Sequence, residues 1–303
     1  MKKVLITGAS GFIARHTIPF LRERNFQIHA TMEYDNTPEQ ADQSITWHSV
    51  NLLDNDAVSE LMRKIKPTHL LHFAWYTSHG KFWNAEENLY WVGATLHLVQ
   101  EFKKNGGQRI VGAGTCAEYD WRYGYCVENV TPLNPASLYG KCKNAVQNIL
   151  CEYASLHNIS FSWGRVFFLY GPFENPKRLI AYVISSLLRN QTAQCSHGNQ
   201  IRDFLHVADV ADAFVSLLDS HIEGPVNIAS GLPQSLRGIL DTIGEITGRG
   251  DLIAYGAIPG NPGDPSLIAG DAQRLKQELN WNPAYSLEDG LTNTIHWWKE
   301  NLR

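Results

Sequence analysis

The sequence is short of several things, and each shortage removes a class of function. It has no basic surplus: 26 Lys and Arg stand against 30 Asp and Glu, a formal net charge of −4. Nucleic-acid binders carry a Lys/Arg stripe to meet phosphates. Here the densest basic spot, RKIKP at Arg63–Pro67, reads as the solvated end of a helix. Five cysteines, Cys116, Cys126, Cys142, Cys151 and Cys195, form no Cys-x-x-Cys pair, and no His-x-x-x-His pair accompanies them. That argues against a zinc site, and an odd count suits reduced thiols in a cytoplasm better than a disulfide framework. No apolar run reaches the roughly 18 residues that span a bilayer. The N-terminus runs directly into a strand pattern, KVLIT, leaving no room for a signal peptide. Internal repeats and low-complexity tracts are absent too. The expectation is a soluble cytoplasmic protein with no metal, no membrane partner and no nucleic acid.

What is present is ample core material, 44% hydrophobic residues in 303, arranged in short apolar runs that alternate with amphipathic stretches. KVLIT, FQIHATM, HLLHFA and RIVGAG read as strands. ARHTIPFLRER, AVSELMRKI and ENLYWVGATLHLVQEFKK, which lie between them, have helical spacing. Strands alternating with helices form βαβ units with right-handed crossovers, so the expected fold is α/β, a doubly wound parallel sheet. The second half is richer in Pro/Gly turns, LYGPFENP and YGAIPGNPGDP, and reads as a smaller C-terminal lobe. The expected division is 1–170, with returning segments near 204–230, as a dinucleotide-binding part, and 171–203 with 231–303 as a substrate-binding lobe.

Directly behind KVLIT, the stretch ITGASGFIARH spaces Gly8, Gly11 and Ala14 evenly where the first strand turns into the first helix. Small residues there permit a tight turn and let the backbone approach a pyrophosphate, while the helix N-terminus offers amide donors. The end of the second strand carries Glu33, with Asp35 behind it. A carboxylate at that place accepts hydrogen bonds from an adenosine ribose and repels a 2′-phosphate. Arg15 pulls the other way, so NAD is expected and NADP stays open.

Tyr139 and Lys143 in SLYGKCKNA are four apart, on one face of a helix. An ammonium beside a phenol favours the phenolate, and a phenol so tuned can move a proton at an alcohol oxygen. Upstream, GAGTCAEY places Thr115 at a strand end, where α/β sheets hold their ligands.

These residues, with the later blocks GRVFFLYGP, IRDFLHVADVADA and VNIASG, make the chain resemble an extended short-chain dehydrogenase/reductase of the NAD-dependent epimerase/dehydratase family. Members of that family act mostly on nucleotide-diphosphate sugars, on a Rossmann-like fold. The resemblance implies Thr115 as the hydroxyl that orients the reacting oxygen and Tyr139 as the acid/base. Lys143 would lower the Tyr139 pKa and hold the nicotinamide ribose. It also implies Gly8, Gly11, Phe12, Ile13 and Ala14 at the pyrophosphate, Glu33 at the ribose, and Ala74 in the cofactor site. Arg202 would meet the substrate nucleotide, with Tyr170 and Arg165 near the substrate. Asp203 and His206 would organise their loop, and His72 reads as structural. Trp75, Tyr76, His79 and Trp83 follow the fourth strand and would wall a deoxysugar or an apolar group, with Cys116 also facing substrate. A homodimer through ENLYWVGATLHLVQEF and LYGKCKNAVQNILCEYA is implied as well.

The departures narrow the reaction. Family dehydratases carry Asp then Glu after the catalytic Thr, where this chain has Cys116 and Ala117, so a 4,6-dehydratase is disfavoured. Asn261 replaces an arginine that many members aim at the substrate diphosphate, leaving Lys177 or Arg178 to substitute. Trp91 stands near a position usually Asn. The first reading is reduction of a nucleotide-linked 4-keto-6-deoxysugar at C4. The alternative is a 4-epimerase that retains its NAD, and a third is a dinucleotide sensor without chemistry.

Overall fold

Leu5 faces one side of its strand while Val4 and Ile6 face the other, and that alternation recurs in Leu70 against Leu71 and Ile110 against Val111. A period of two places consecutive side chains on opposite faces of a sheet, so strands apolar throughout must be covered on both sides. The computed structural model, which describes residues 2–32 and 44–302, shows that arrangement. The first half contains β1 (Lys3–Thr7), α1 (Ala14–Glu23), β2 (Gln27–Met32), β3 (Ile45–Ser49), α2 (Asn55–Ile65) and β4 (His69–His72). It continues with α3 (Glu87–Lys104), β5 (Arg109–Thr115), the short β6 (Tyr125–Cys126), α4 (Leu138–Leu156) and β7 (Ser160–Val166). Next come β8 (Phe168–Tyr170), α5 (Leu179–Leu188), β9 (Ala193–Cys195), β10 (Ile201–Arg202), β11 (Phe204–His206), α6 (Val207–Leu218) and β12 (Gly224–Ile228). The chain ends with β13 (Gln234–Ser235), α7 (Leu236–Thr247), β14 (Ile253–Tyr255), β15 (Leu267–Gly270) and α8 (Leu287–Asn301).

Seven strands form one parallel sheet in the order β12-β7-β5-β4-β1-β2-β3. One face packs on α1 and α6 through Leu21, Val210 and Phe214. The other packs on α2, α3 and α4 through Val58, Leu98, Phe102, Val146 and Leu150. The expected doubly wound sheet is therefore present. It includes two strands beyond those expected, Ile45–Ser49 and Ser160–Val166, and a seventh at Gly224–Ile228. A third apolar cluster joins α5, α7 and α8 around Ile184, Ile243 and Ile295. Beside it, β13, β10, β15 and β6 make a four-stranded sheet. The strand order reverses beside β1, between β2 and β4, and the crevice at such a switch point is where doubly wound sheets bind ligands.

Candidate active site

At the C-terminal end of β1 the chain turns at Gly8, whose φ is +68°. A Cβ there would stand 2.9 Å from the Ala74 amide nitrogen, so the turn excludes any side chain and lies flat against the exit of β4. Gly11 N donates to Gly8 O at 2.9 Å, closing the turn. No side chain caps α1 and its first turn holds no acid, which leaves its amide donors and positive end for an anion. Gly8, Gly11, Phe12, Ile13 and Ala14 line a cleft of about 1350 Å³. Gly8, Gly11, Thr31, Met32 and Ala74 line an adjoining cavity of about 170 Å³ at the end of β2. Glu33 and Asp35 lie outside the described residues. Arg15 donates to Ser10 O at 2.8 Å and lies 4.2 Å over the Phe173 ring.

β5 delivers Thr115 to the cleft and α4 brings Tyr139 and Lys143 beside it. Ser137 caps α4 by accepting from Gly140 N at 3.1 Å. Gly140 is indispensable to the approach, because a Cβ there would meet Ala117 O at 2.3 Å. Burial pushes the Tyr139 phenol up, partly offset by the nearby Thr115 hydroxyl and by Arg178. The expected contact of Lys143 with the phenol is not among those its ammonium makes. Lys143 Nζ instead donates to Ala113 O at 2.9 Å and sits 3.9 Å from the centre of the Trp75 ring. Burial pulls Lys143 itself down to about 7. Its charge is held by a carbonyl and an aromatic face rather than by the phenol.

Below Thr115 lies a buried polar network. Glu118 Oε1 accepts from Thr115 N at 2.9 Å and from Trp163 Nε1 at 2.9 Å, and Oε2 accepts from Arg165 Nε at 2.7 Å. Arg165 also donates to Tyr119 Oη at 3.1 Å, and Tyr119 in turn donates to Asn227 Oδ1 at 2.7 Å. Arg165 is thus a support of the C-terminal end of β5 and is not among the cleft-lining residues. His72 is structural too, with Thr7 Oγ1 2.7 Å from its Nδ1 and Thr95 Oγ1 3.0 Å from its Nε2. Burial drops its pKa to about 3.

Trp75, His79, Trp83, Cys116 and Arg202 line the cleft. Burial pushes the Cys116 thiol up, leaving it protonated and poorly suited to shuttle protons. Arg202 donates to Asp264 Oδ1 at 2.7 Å. Asp203 accepts from Ser230 N, Ser230 Oγ and Gly231 N, binding the β10–β11 corner to the loop after β12. His206 caps α6 by accepting from Ala208 N at 3.3 Å. Two expected substrate residues do not reach the cleft. Tyr170, 1% exposed, packs in the α5–α7–α8 cluster and donates to Leu287 O at 3.2 Å. Tyr76 packs against the α2–α4 face of the sheet. Trp91 lines the smaller cavity and lies 6.3 Å from Trp75, ring to ring.

The sequence reading passed over four contributors. Phe82 and Trp83 meet the Tyr139 ring edge-on at 4.9 and 5.9 Å, and Trp121 meets Trp83 at 6.1 Å. Phe82 and Trp121 sit in one-turn helices, too short for any periodicity to show. Glu118 and Glu174 were also missed. The E of GTCAEY was readable as part of a motif, whereas Glu174 in FENP looks like any loop acid.

Known proteins align with this arrangement along nearly all its length. The chain is 27% identical to an uncharacterized UDP-glucose epimerase, YtcB, of Bacillus subtilis, over 97% of this chain and 96% of that protein. The structure of MoeE5 in complex with UDP-glucose and NAD superposes with a TM-score of 0.85 at 26% identity, covering 99% of this chain and 100% of that one. The UDP-glucose 4-epimerase of Thermotoga maritima, solved with UDP-glucose, gives a TM-score of 0.88 at 21% identity, covering 99% and 100%. Residues 4–229 match the model of the NAD dependent epimerase/dehydratase family, so the chain belongs to that family and is an enzyme of the extended short-chain dehydrogenase/reductase type.

Proposed function

We propose that the chain reduces the C4 ketone of a nucleotide-diphosphate 4-keto-6-deoxysugar, with Tyr139 as proton donor. The observation that carries this is the Tyr139 phenol, which lines the cleft with Thr115 and is pushed up in pKa by its desolvated surroundings. A protonated phenol is ready to quench an alkoxide as it forms at a reduced carbonyl. Thr115 would orient the same oxygen, and Lys143, already desolvated, would hold the ribose hydroxyls of the dinucleotide.

The turn fits that dinucleotide, since Gly8 leaves no room for a methyl group and α1 opens without a cap. Gly8, Gly11, Phe12, Ile13 and Ala14 would hold the pyrophosphate and Ala74 the adenosine side, with Tyr139 and Lys143 at the nicotinamide end. NAD is the cofactor we assign, as bound by MoeE5, and Glu33 is the proposed ribose ligand. A bound nicotinamide supplies the hydride. Trp75, Trp83, Phe82 and Trp121 give the reacting end an apolar wall, suited to a deoxy carbon. Arg202, Lys177 and Arg178, which line the cleft, are placed to meet the nucleotide diphosphate.

The second reading, a nucleotide-sugar 4-epimerase, is favoured by the names of YtcB and the Thermotoga protein. One experiment separates them. Purified protein is supplied with NADH and a dTDP- or UDP-linked 4-keto-6-deoxysugar, and in parallel with UDP-glucose alone. Stoichiometric NADH oxidation supports the reductase. UDP-galactose formed from UDP-glucose by protein carrying retained NAD overturns it in favour of the epimerase.

The same reading includes a two-part chain, divided at about residues 170, 204 and 230, and a homodimer through α3 and α4. Leu89, Tyr90 and Ile149 stand exposed on those helices. The five free cysteines suit a cytoplasmic location. Light scattering of the purified chain checks the dimer.

A further inference from the structure

After β8 the chain passes Gly171 and Pro172 and reaches Glu174 before α5 begins. Glu174 lines the cleft and is 5% exposed, yet its Oε2 has no hydrogen-bond partner. A desolvated carboxyl oxygen without a partner is costly, and native structures rarely keep one without a use. The loop that carries it is fastened from two sides. From α1, His16 Nε2 lies 3.2 Å from Pro172 O and the Arg15 guanidinium covers the Phe173 ring. From α8, Trp297 meets Phe173 at 4.7 Å, ring to ring. Glu174 therefore stands where the first turn of the dinucleotide site meets the lobe that faces the sugar.

We propose that Glu174 is a ligand-recognition residue, whose carboxyl hydrogen-bonds an uncharged oxygen of a molecule held in the cleft. Two sources offer that chemistry, the amide carbonyl of a nicotinamide and a hydroxyl or keto oxygen of a sugar. The identity of these ligands rests on the function proposed above; the assignment of Glu174 rests on its place in the cleft. Burial raises the carboxyl to about 8, against an opposing pull from Arg178. At pH 7 it is thus a neutral acid with one O–H to donate. Lys177 and Arg178 line the same cleft before α5, and Arg15 and His16 hold the loop from α1. Lys143, across the cleft, titrates near 7, so only the difference between variant and wild type isolates the Glu174 contribution.

The test titrates tryptophan fluorescence with NADH, and the NAD-loaded protein with UDP-glucose, for wild type, E174Q and E174L. E174L is expected to weaken one of the two probes about 3- to 10-fold at pH 7, the worth of one hydrogen bond between neutral groups. E174Q, which can still donate, stays within about twofold. Above pH 8 the wild type must regain a proton to bind. Its affinity for that probe then falls by up to about tenfold per pH unit, and E174Q lacks that fall. Loss in the NADH arm assigns the carboxamide; loss in the sugar arm assigns the sugar. An E174L protein with wild-type melting temperature and unchanged affinity for both probes overturns the proposal. Should E174L not fold, an E174Q profile as steep as wild type above pH 8 overturns it equally. Wild-type protein that binds both probes but reduces no 4-keto sugar fails the reductase reading and leaves the Glu174 result standing.

Discussion

The two sides of the cleft are built on opposite plans. On the β5–α4 side, both oxygens of the buried Glu118 are engaged, by Thr115 N, Trp163 Nε1 and Arg165 Nε. On the β8–α5 side, Glu174, also buried, keeps an oxygen with no partner. Both are glutamates with almost no exposed surface, so burial does not separate them; partners do. The saturated side is scaffold, fixing the Thr115 backbone against the strand end. The unsaturated side is where a ligand can still add a bond. An interior that satisfies its polar groups in one wall and leaves one open in the facing wall marks out which wall positions and which recognises.

The largest effect that sharpens this contrast is expected at the Tyr139 phenol. Tyr139→Phe should lower turnover by about 10²- to 10⁴-fold with NADH affinity within twofold, read by steady-state rates and fluorescence titration. Equal losses in both would mean that Tyr139 is scaffold as well. Next, Arg165→Leu leaves Glu118 buried with no counter-ion and should cost about 3–5 kcal/mol of stability, measured by urea denaturation or by loss of soluble protein. A variant as stable as wild type would break the claim that this wall is held by its polar network. Gly8→Ala forces a side chain at positive φ against Ala74 and should cost about 1–3 kcal/mol. NADH affinity should fall with it, because the turn cannot lie flat.

The pH dependence of stability tests burial rather than pairing. Burial lowers His29, His69 and His206 to about 4, and His72 to about 3, from an ordinary value of 6.5. Between those values the unfolded chain binds more protons than the folded one, so stability is full above pH 6.5 and drains as pH falls toward 4. The melting temperature should drop between pH 7 and pH 4.5, and His72→Gln should flatten part of the drop. A melting temperature that is level across that window would contradict the burial of these rings. The smallest effect is expected for Arg15→Ala. Its guanidinium is occupied by Ser10 O and the Phe173 face, so NADH and NADPH affinities should each change by less than about threefold. A selective loss of NADPH binding would show that Arg15 swings to a 2′-phosphate.

Much of this was legible in the sequence where a residue's role follows from backbone geometry. Gly8 had to be small because two strand ends converge on it, and the four-residue spacing of Tyr139 and Lys143 on a helix fixes their common face. Strand Ile45–Ser49 escaped because it is an edge strand, with only Ile45 fully buried. Ser160–Val166 escaped because SFSWGRV buries Ser162 and Arg165 in contacts made by distant residues. Side-chain direction was the other limit. Tyr170 follows the strand Ser160–Val166 in sequence yet turns into the α8 contact, and Lys143 turns to Ala113 rather than to the phenol. Neither spacing nor motif encodes which neighbour a long side chain will choose.

The position of β12 carries a consequence for how the chain reaches this shape. β7 is flanked by β5 on one side and by β12, some sixty residues further along, on the other. While the protein is being synthesised, the central strands can assemble early, but the outer rim of β7 stays uncovered until Gly224–Ile228 arrives. An uncovered strand is a template for pairing with another chain, and closures between distant segments are slow. The intervening stretch, which holds β8, α5 and Arg202, must thus fold outward without capturing that rim. A nascent chain halted before residue 224 leaves that rim bare, which favours aggregation.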